Sequence, residues 1–104
     1  MAIVIVATVV PVPEHRDEVI AAHEKAIETV HATEDGCLLY ALHEGPDGRL
    51  VMIEKYTDQA AFDAHLSGAG LAGLRAATEG KFSAPPDVQV LTPHPAGSAE
   101  KGTL

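Results

Sequence analysis

The chain contains no tryptophan, no asparagine and a single cysteine, Cys37, in 104 residues. One thiol excludes an intrachain disulfide, and the expected role of Cys37 is that of a small buried apolar side chain. Cations are scarce, with 7 Lys and Arg against 15 Asp and Glu and a net charge of −8. That balance argues against nucleic acid or an anionic membrane as partner, because both recruit Lys and Arg. The longest β-branched run, Ile3–Val10, is too short to span a bilayer and lacks the basic flank and cleavage pattern of a signal peptide. No membrane contact and a cytoplasmic location are expected. No two histidines stand three or four residues apart, so no metal site is expected, and no cofactor motif holds up either. Gly68-Ala-Gly70-Leu-Ala-Gly73 matches a dinucleotide fingerprint by letters, but a helix precedes it where that fingerprint needs a strand.

What is present describes one domain, residues 1–93, followed by a Pro-, Gly-, Ser- and Lys-bearing tail over 94–104 that is expected to be flexible. Hydrophobic residues make up 46% of the chain, enough for a packed core. Ile3–Val10 reads as a central strand covered on both faces, ended by Pro11 and Pro13. A helix over about Glu14–Ala32 carries Val19, Ile20, His23, Ala26, Ile27 and Val30 as one stripe. His23 lies inside that stripe and His31 on its border, where a satisfied core residue is the expected role.

Cys37–Glu44 and Leu50–Tyr56 flank Gly45-Pro46-Asp47-Gly48 and read as a hairpin with a four-residue loop. Setting Arg49 opposite Glu44 pairs Leu39 with Glu54 and Cys37 with Tyr56. One face then carries Cys37, Leu39, Ala41, His43, Leu50, Met52, Glu54 and Tyr56; the other carries Leu38, Tyr40, Leu42, Val51, Ile53 and Lys55. Asp58 can cap a helix bearing Phe62, His65 and Leu66. A weak, glycine-loosened helix follows to about Gly80, with Leu71 and Leu74 inward and Arg75 nearby; it is the best lid candidate. Asp87–Leu91 is the last strand.

The order β-α-β-β-α-β predicts an α+β, ferredoxin-like split βαβ fold: a four-stranded antiparallel sheet with helices on one face. The other face is apolar and nothing in the chain covers it. A homodimer packed sheet against sheet is expected.

Asp35-Gly36-Cys37-Leu38-Leu39-Tyr40, Glu54-Lys55-Tyr56, Ala64-His65-Leu66-Ser67 and the run from Pro85 to Pro93 together resemble the antibiotic-biosynthesis monooxygenase (ABM) domain over about residues 3–93. The resemblance implies a dimeric α+β barrel with one pocket per subunit between helices and sheet. It also implies cofactor-independent oxidation of a small aromatic, quinol-like or polyphenolic substrate by O₂. Tyr56 stands where the family has Trp, and Gly70 where a second His is common. The Asn that some relatives use on the first strand falls near Ala7, which disfavours haem degradation of that type.

Such chemistry needs a base near neutral pH, an apolar pocket and a group that stabilises the substrate anion. Histidine has a suitable intrinsic pKa. His65 is the candidate base, with Glu54 as the carboxylate that orients it; the alternative is that the two only satisfy each other. The expected pocket is lined by Ala7, His23, Leu39, Met52, Glu54, Tyr56, Phe62, His65 and Leu74, with His43 a further liner and Arg75 an anion partner. An isomerase, cyclase or lyase using the same base, and a ligand-binding dimer without turnover, are the other functions open to this barrel.

Overall fold

Alternating apolar side chains and β-branched residues make the first strand, β1 (Ile3–Val9), and Val10-Pro11 ends it. The computed structural model describes residues 1–104. A short 3-10 turn at Pro13–His15 leads into helix α1 (Arg16–Thr33), whose buried row is Val19, His23, Ala26 and Val30. Strands β2 (Cys37–Glu44) and β3 (Leu50–Tyr56) form the hairpin, followed by α2 (Gln59–Leu66), α3 (Ala69–Thr78) and β4 (Asp87–Leu91). The strands lie in the order β2-β3-β1-β4, all antiparallel, and the helices cover one face. This is the ferredoxin-like α+β fold expected from the element order. No helix is long and apolar enough to cross a membrane.

The helix-facing side of the sheet carries Ile3, Ile5, Ala7 and Val9 from β1, paired with Tyr56, Glu54, Met52 and Leu50 from β3. Three clusters fill the space under the helices: Ile5 with Tyr56 and Phe62, Val9 with Val19 and Leu50, and Val30 with Tyr40 and Met52. Burying each such side chain is worth roughly 1.5–3 kcal/mol against leaving it in water. Asp58 caps α2, its Oδ1 accepting from Ala61 N at 2.9 Å. Gly70 lets α3 close on α1: a Cβ there would stand 2.8 Å from Val30 Cγ2. Any side chain at that position would have to displace Val30.

The hairpin corrects the expected register. Gly45 N–H donates to Arg49 O at 2.9 Å, leaving a three-residue turn in which Asp47 and Gly48 take φ of 63° and 77°. Asp and Gly are the residues that tolerate this left-handed backbone. Glu44 therefore pairs with Leu50 rather than Arg49, and its carboxylate finds Arg16 of α1 at 2.8 Å instead. A slip of one residue turns the whole strand over. Tyr40 now opposes Glu54 and Leu42 opposes Met52, both toward the helices. Leu39, Ala41 and His43 pair with Lys55, Ile53 and Val51 on the outer face. An irregularity between Cys37 and Leu39 then restores Cys37 to Tyr56, as expected.

The outer face so defined presents Leu39, Ala41, Val51 and Ile53 half-buried, and the exposed Leu38 (56%) stands at its edge. Every residue of β4 is exposed, Val88 and Val90 at 53% and 58% although they point to the helix side. The residues after Pro93 form no helix or strand, and the Leu104 carbonyl accepts from Lys55 Nζ.

Candidate active site

Between the sheet and the helices lies a cavity of about 170 Å³. Of the side chains expected to line it, Ala7, His23, Met52, Glu54, Phe62, His65, Leu74 and Arg75 are in its wall. Tyr56 sits behind the wall, wholly buried. Leu39 and His43 are not there: the register shift puts both on the outer face, where His43 is exposed and its Nδ1 lies 3.3 Å from Val51 O. In exchange the wall gains Tyr40, Leu71, Phe82 and Val88.

Each polar group is placed by its element. His65 is in the last turn of α2, one helical turn after the buried Phe62, which directs it inward. Its ring lies 5.2 Å from both the Tyr40 and the Tyr56 rings and is stacked at 6.5 Å on Phe62. Glu54 is a β3 residue on the helix-facing side, and the Tyr56 hydroxyl donates to its Oε1 at 2.6 Å.

The carboxylate nearest His65 is not Glu54. Glu34, the C-cap of α1, puts Oε1 2.8 Å from His65 Nδ1, whereas Glu54 Oε1 is 3.8 Å from Nε2. Both partners of the short contact are withdrawn from water, with 3% of the His65 side chain and 12% of Glu34 exposed. A carboxylate only accepts, so Nδ1 is assigned the proton and donates to Glu34, leaving the Nε2 lone pair free. Glu34 Oε2 has no hydrogen-bond partner, and a side chain at Gly68 would begin 3.1 Å from it. Gly68 thus makes the room that Glu34 occupies.

Electrostatics follow from burial. Glu54 is pushed up from the ordinary carboxylate value by loss of water, with the Tyr56 hydrogen bond and His65 pulling the other way. Burial raises Tyr56, and its bond to Glu54 adds to that. Burial also raises Tyr40, helped by the charges of Glu54 and Glu34, so both phenols remain protonated donors. His23 is lowered by burial, and its Nδ1 lies 2.9 Å from Val19 O, which satisfies it within its own helix. Burial takes the Cys37 thiol to about 11, which removes it as a nucleophile near neutral pH. No three His, Cys, Asp or Glu side chains are grouped so as to hold a metal ion.

A base with one ring nitrogen anchored and the other free, a neutral phenol and a buried acid thus meet at one end of an apolar cavity. The chain is similar to proteins of one family in both sequence and structure. A family model, antibiotic biosynthesis monooxygenase, matches residues 2–77. The chain is 33% identical over 98 residues to Rv0793 of Mycobacterium tuberculosis, whose name assigns it provisionally to the monooxygenases, covering 93% of this chain and 96% of that one. The solved structure of Rv0793 superposes with a TM-score of 0.86 at 30% identity, covering 94% of this chain and 100% of that one. A Caulobacter crescentus structure, provisionally assigned to the antibiotic biosynthesis monooxygenases, gives a TM-score of 0.82 at 25% identity and covers 86% and 87% of the two chains.

Proposed function

Since this chain belongs to the antibiotic biosynthesis monooxygenase family, we propose that it oxidises a quinol-like or polyphenolic small molecule with O₂, without a cofactor, in the cavity beneath α2 and α3. The observation that carries this reading is the 2.8 Å contact between Glu34 and His65 Nδ1. It anchors the imidazole and leaves Nε2 to take a proton from a substrate hydroxyl. The positive charge that His65 then acquires is flanked by Glu34 and Glu54, and this offsets the cost of forming it away from water.

Deprotonation turns a hydroquinone into an electron donor strong enough to meet O₂ directly. In the simplest case a hydroquinone and O₂ give a hydroxyquinone and water. One oxygen atom enters the ring, the other leaves as water, and the substrate supplies all four electrons. Tyr40 is in the cavity wall, and its hydroxyl makes no hydrogen bond to the protein; it is the donor for the developing anion. Apolar walls limit competing protonation by water.

The working unit of this proposal is a homodimer. Support comes from the half-buried apolar outer face and from β4, which is uncovered on both sides. A face of that character is rare on a monomer.

Turnover of a hydroquinone panel under ¹⁸O₂ tests the reading. One labelled atom in the product and one in water is the expected result. Conversion that continues without O₂ would transfer the site to proton-transfer chemistry, and oxidised product that carries no label would make O₂ an electron acceptor only; either result overturns the monooxygenase reading.

A further inference from the structure

Arg75 is the one arginine or lysine in the cavity wall. It also lines the open groove beside the cavity, together with Thr78, Phe82 and Pro86, which both spaces share. It therefore stands where the cavity meets the open groove. The acidic surface does not consume it. Arg16 is taken by Glu44 and Lys81 by Glu18, whereas Arg75 makes no hydrogen bond or ion pair, although Glu79 follows it by one turn and borders the same groove. In a chain with 15 acids and 7 Lys and Arg, a cation left free at the mouth of an apolar cavity is a feature that calls for a ligand.

We propose that the substrate carries an anionic group, in the simplest case a carboxylate, at the end away from the reacting hydroxyl, and that Arg75 receives it. Which end reacts rests on the monooxygenase reading above; the charge preference does not. A guanidinium presents paired N–H donors that match a carboxylate edge to edge, and it stays charged at any working pH. The carboxylate would sit in the groove while the ring enters the cavity, which is of the order of the 150 Å³ space that accepts a benzene ring. The cavity is then polarised along its length, with proton acceptors at the floor and a cation at the mouth. A substrate lying the other way round would set its anion against Glu54.

Anaerobic titration calorimetry separates this from turnover. The probes are 2,5-dihydroxybenzoate, 2,5-dihydroxyphenylacetate and 2,5-dihydroxyphenylpropionate, each beside its neutral methyl ester, so that three reaches from ring to charge are sampled. At least one acid should bind about tenfold tighter than its ester, between the few-fold of a fully solvated ion pair and the hundredfold of a charged hydrogen bond out of water. The preference should vanish in Arg75→Gln and persist in part in Arg75→Lys. Equal binding of acids and esters, no binding of any probe, or a preference that survives Arg75→Gln would overturn the inference. Discrimination by charge with no O₂ uptake would leave it standing while removing the monooxygenase reading.

Discussion

Glu34 and His65 are 31 residues apart in the chain and 2.8 Å apart in the fold, Oε1 to Nδ1. The contact joins the end of α1 to the end of α2 and does two things at once. It fixes the ring plane over Tyr56 and Tyr40, and it decides which nitrogen faces the cavity.

Replacing Glu34 by Gln should therefore separate geometry from chemistry. The amide keeps the volume and can still hydrogen-bond the ring, but it can also donate, which permits the wrong tautomer. We expect a turnover lower by about 10²–10⁴-fold, the usual consequence of losing the carboxylate behind a catalytic imidazole. Circular dichroism should stay unchanged, and the downfield Nδ1–H proton resonance should be lost. A variant with unchanged turnover would show that Glu34 only fills space.

The hairpin register makes two substitutions diverge. Ile53 is on the outer face and Leu42 packs against the Val9–Val19–Leu50 and Val30–Tyr40–Met52 clusters. Ile53→Asp should leave a folded protein that light scattering reports as a monomer. Leu42→Asp should lose several kcal/mol, because a charge is buried without a partner, and the cooperative unfolding transition should go with it. The reverse pattern would restore the four-residue loop.

Glu54 gives a pH signature. Its folded value lies above the ordinary 4.5, so between the two values the unfolded chain holds fewer protons than the folded one. Stability then falls as pH rises through that window, and the penalty persists above it. Glu54→Gln, which can still accept from Tyr56, removes the penalty. Urea unfolding of both proteins from about pH 4.5 to about pH 8 should show the variant gaining on the native chain as pH rises. A gap that stays constant would mean that Glu54 is not held above its ordinary value.

Much of this was legible in the residues, and the exceptions have physical causes. β3 reads correctly because Met52, Glu54 and Tyr56 alternate with Val51, Ile53 and Lys55, and only one of the two sets can face the helices. β2 is apolar on both faces, so its alternation carries no direction and the turn alone decides. Asp47 accepting a left-handed backbone shortened that turn by one residue and moved Tyr40 into the site and Leu39 and His43 out of it. Glu34 had no signal at all. It follows the last turn of α1 beside Asp35, looks like any solvated helix end, and meets His65, 31 residues away in the chain, only through the fold. Gly68 was visible as one of three glycines that loosen a helix, but what it makes room for was not.

The central proposal is that His65 serves as the base of an O₂-consuming reaction. Oxygen-electrode rates for native protein and His65→Ala, measured side by side on the same panel of hydroquinones, test it most directly. The native protein should consume one O₂ per quinol, and His65→Ala should be slower by about 10²–10⁴-fold while keeping its fold and its oligomeric state. Absence of O₂ uptake by the native protein across the panel, or equal rates for the two, would contradict it.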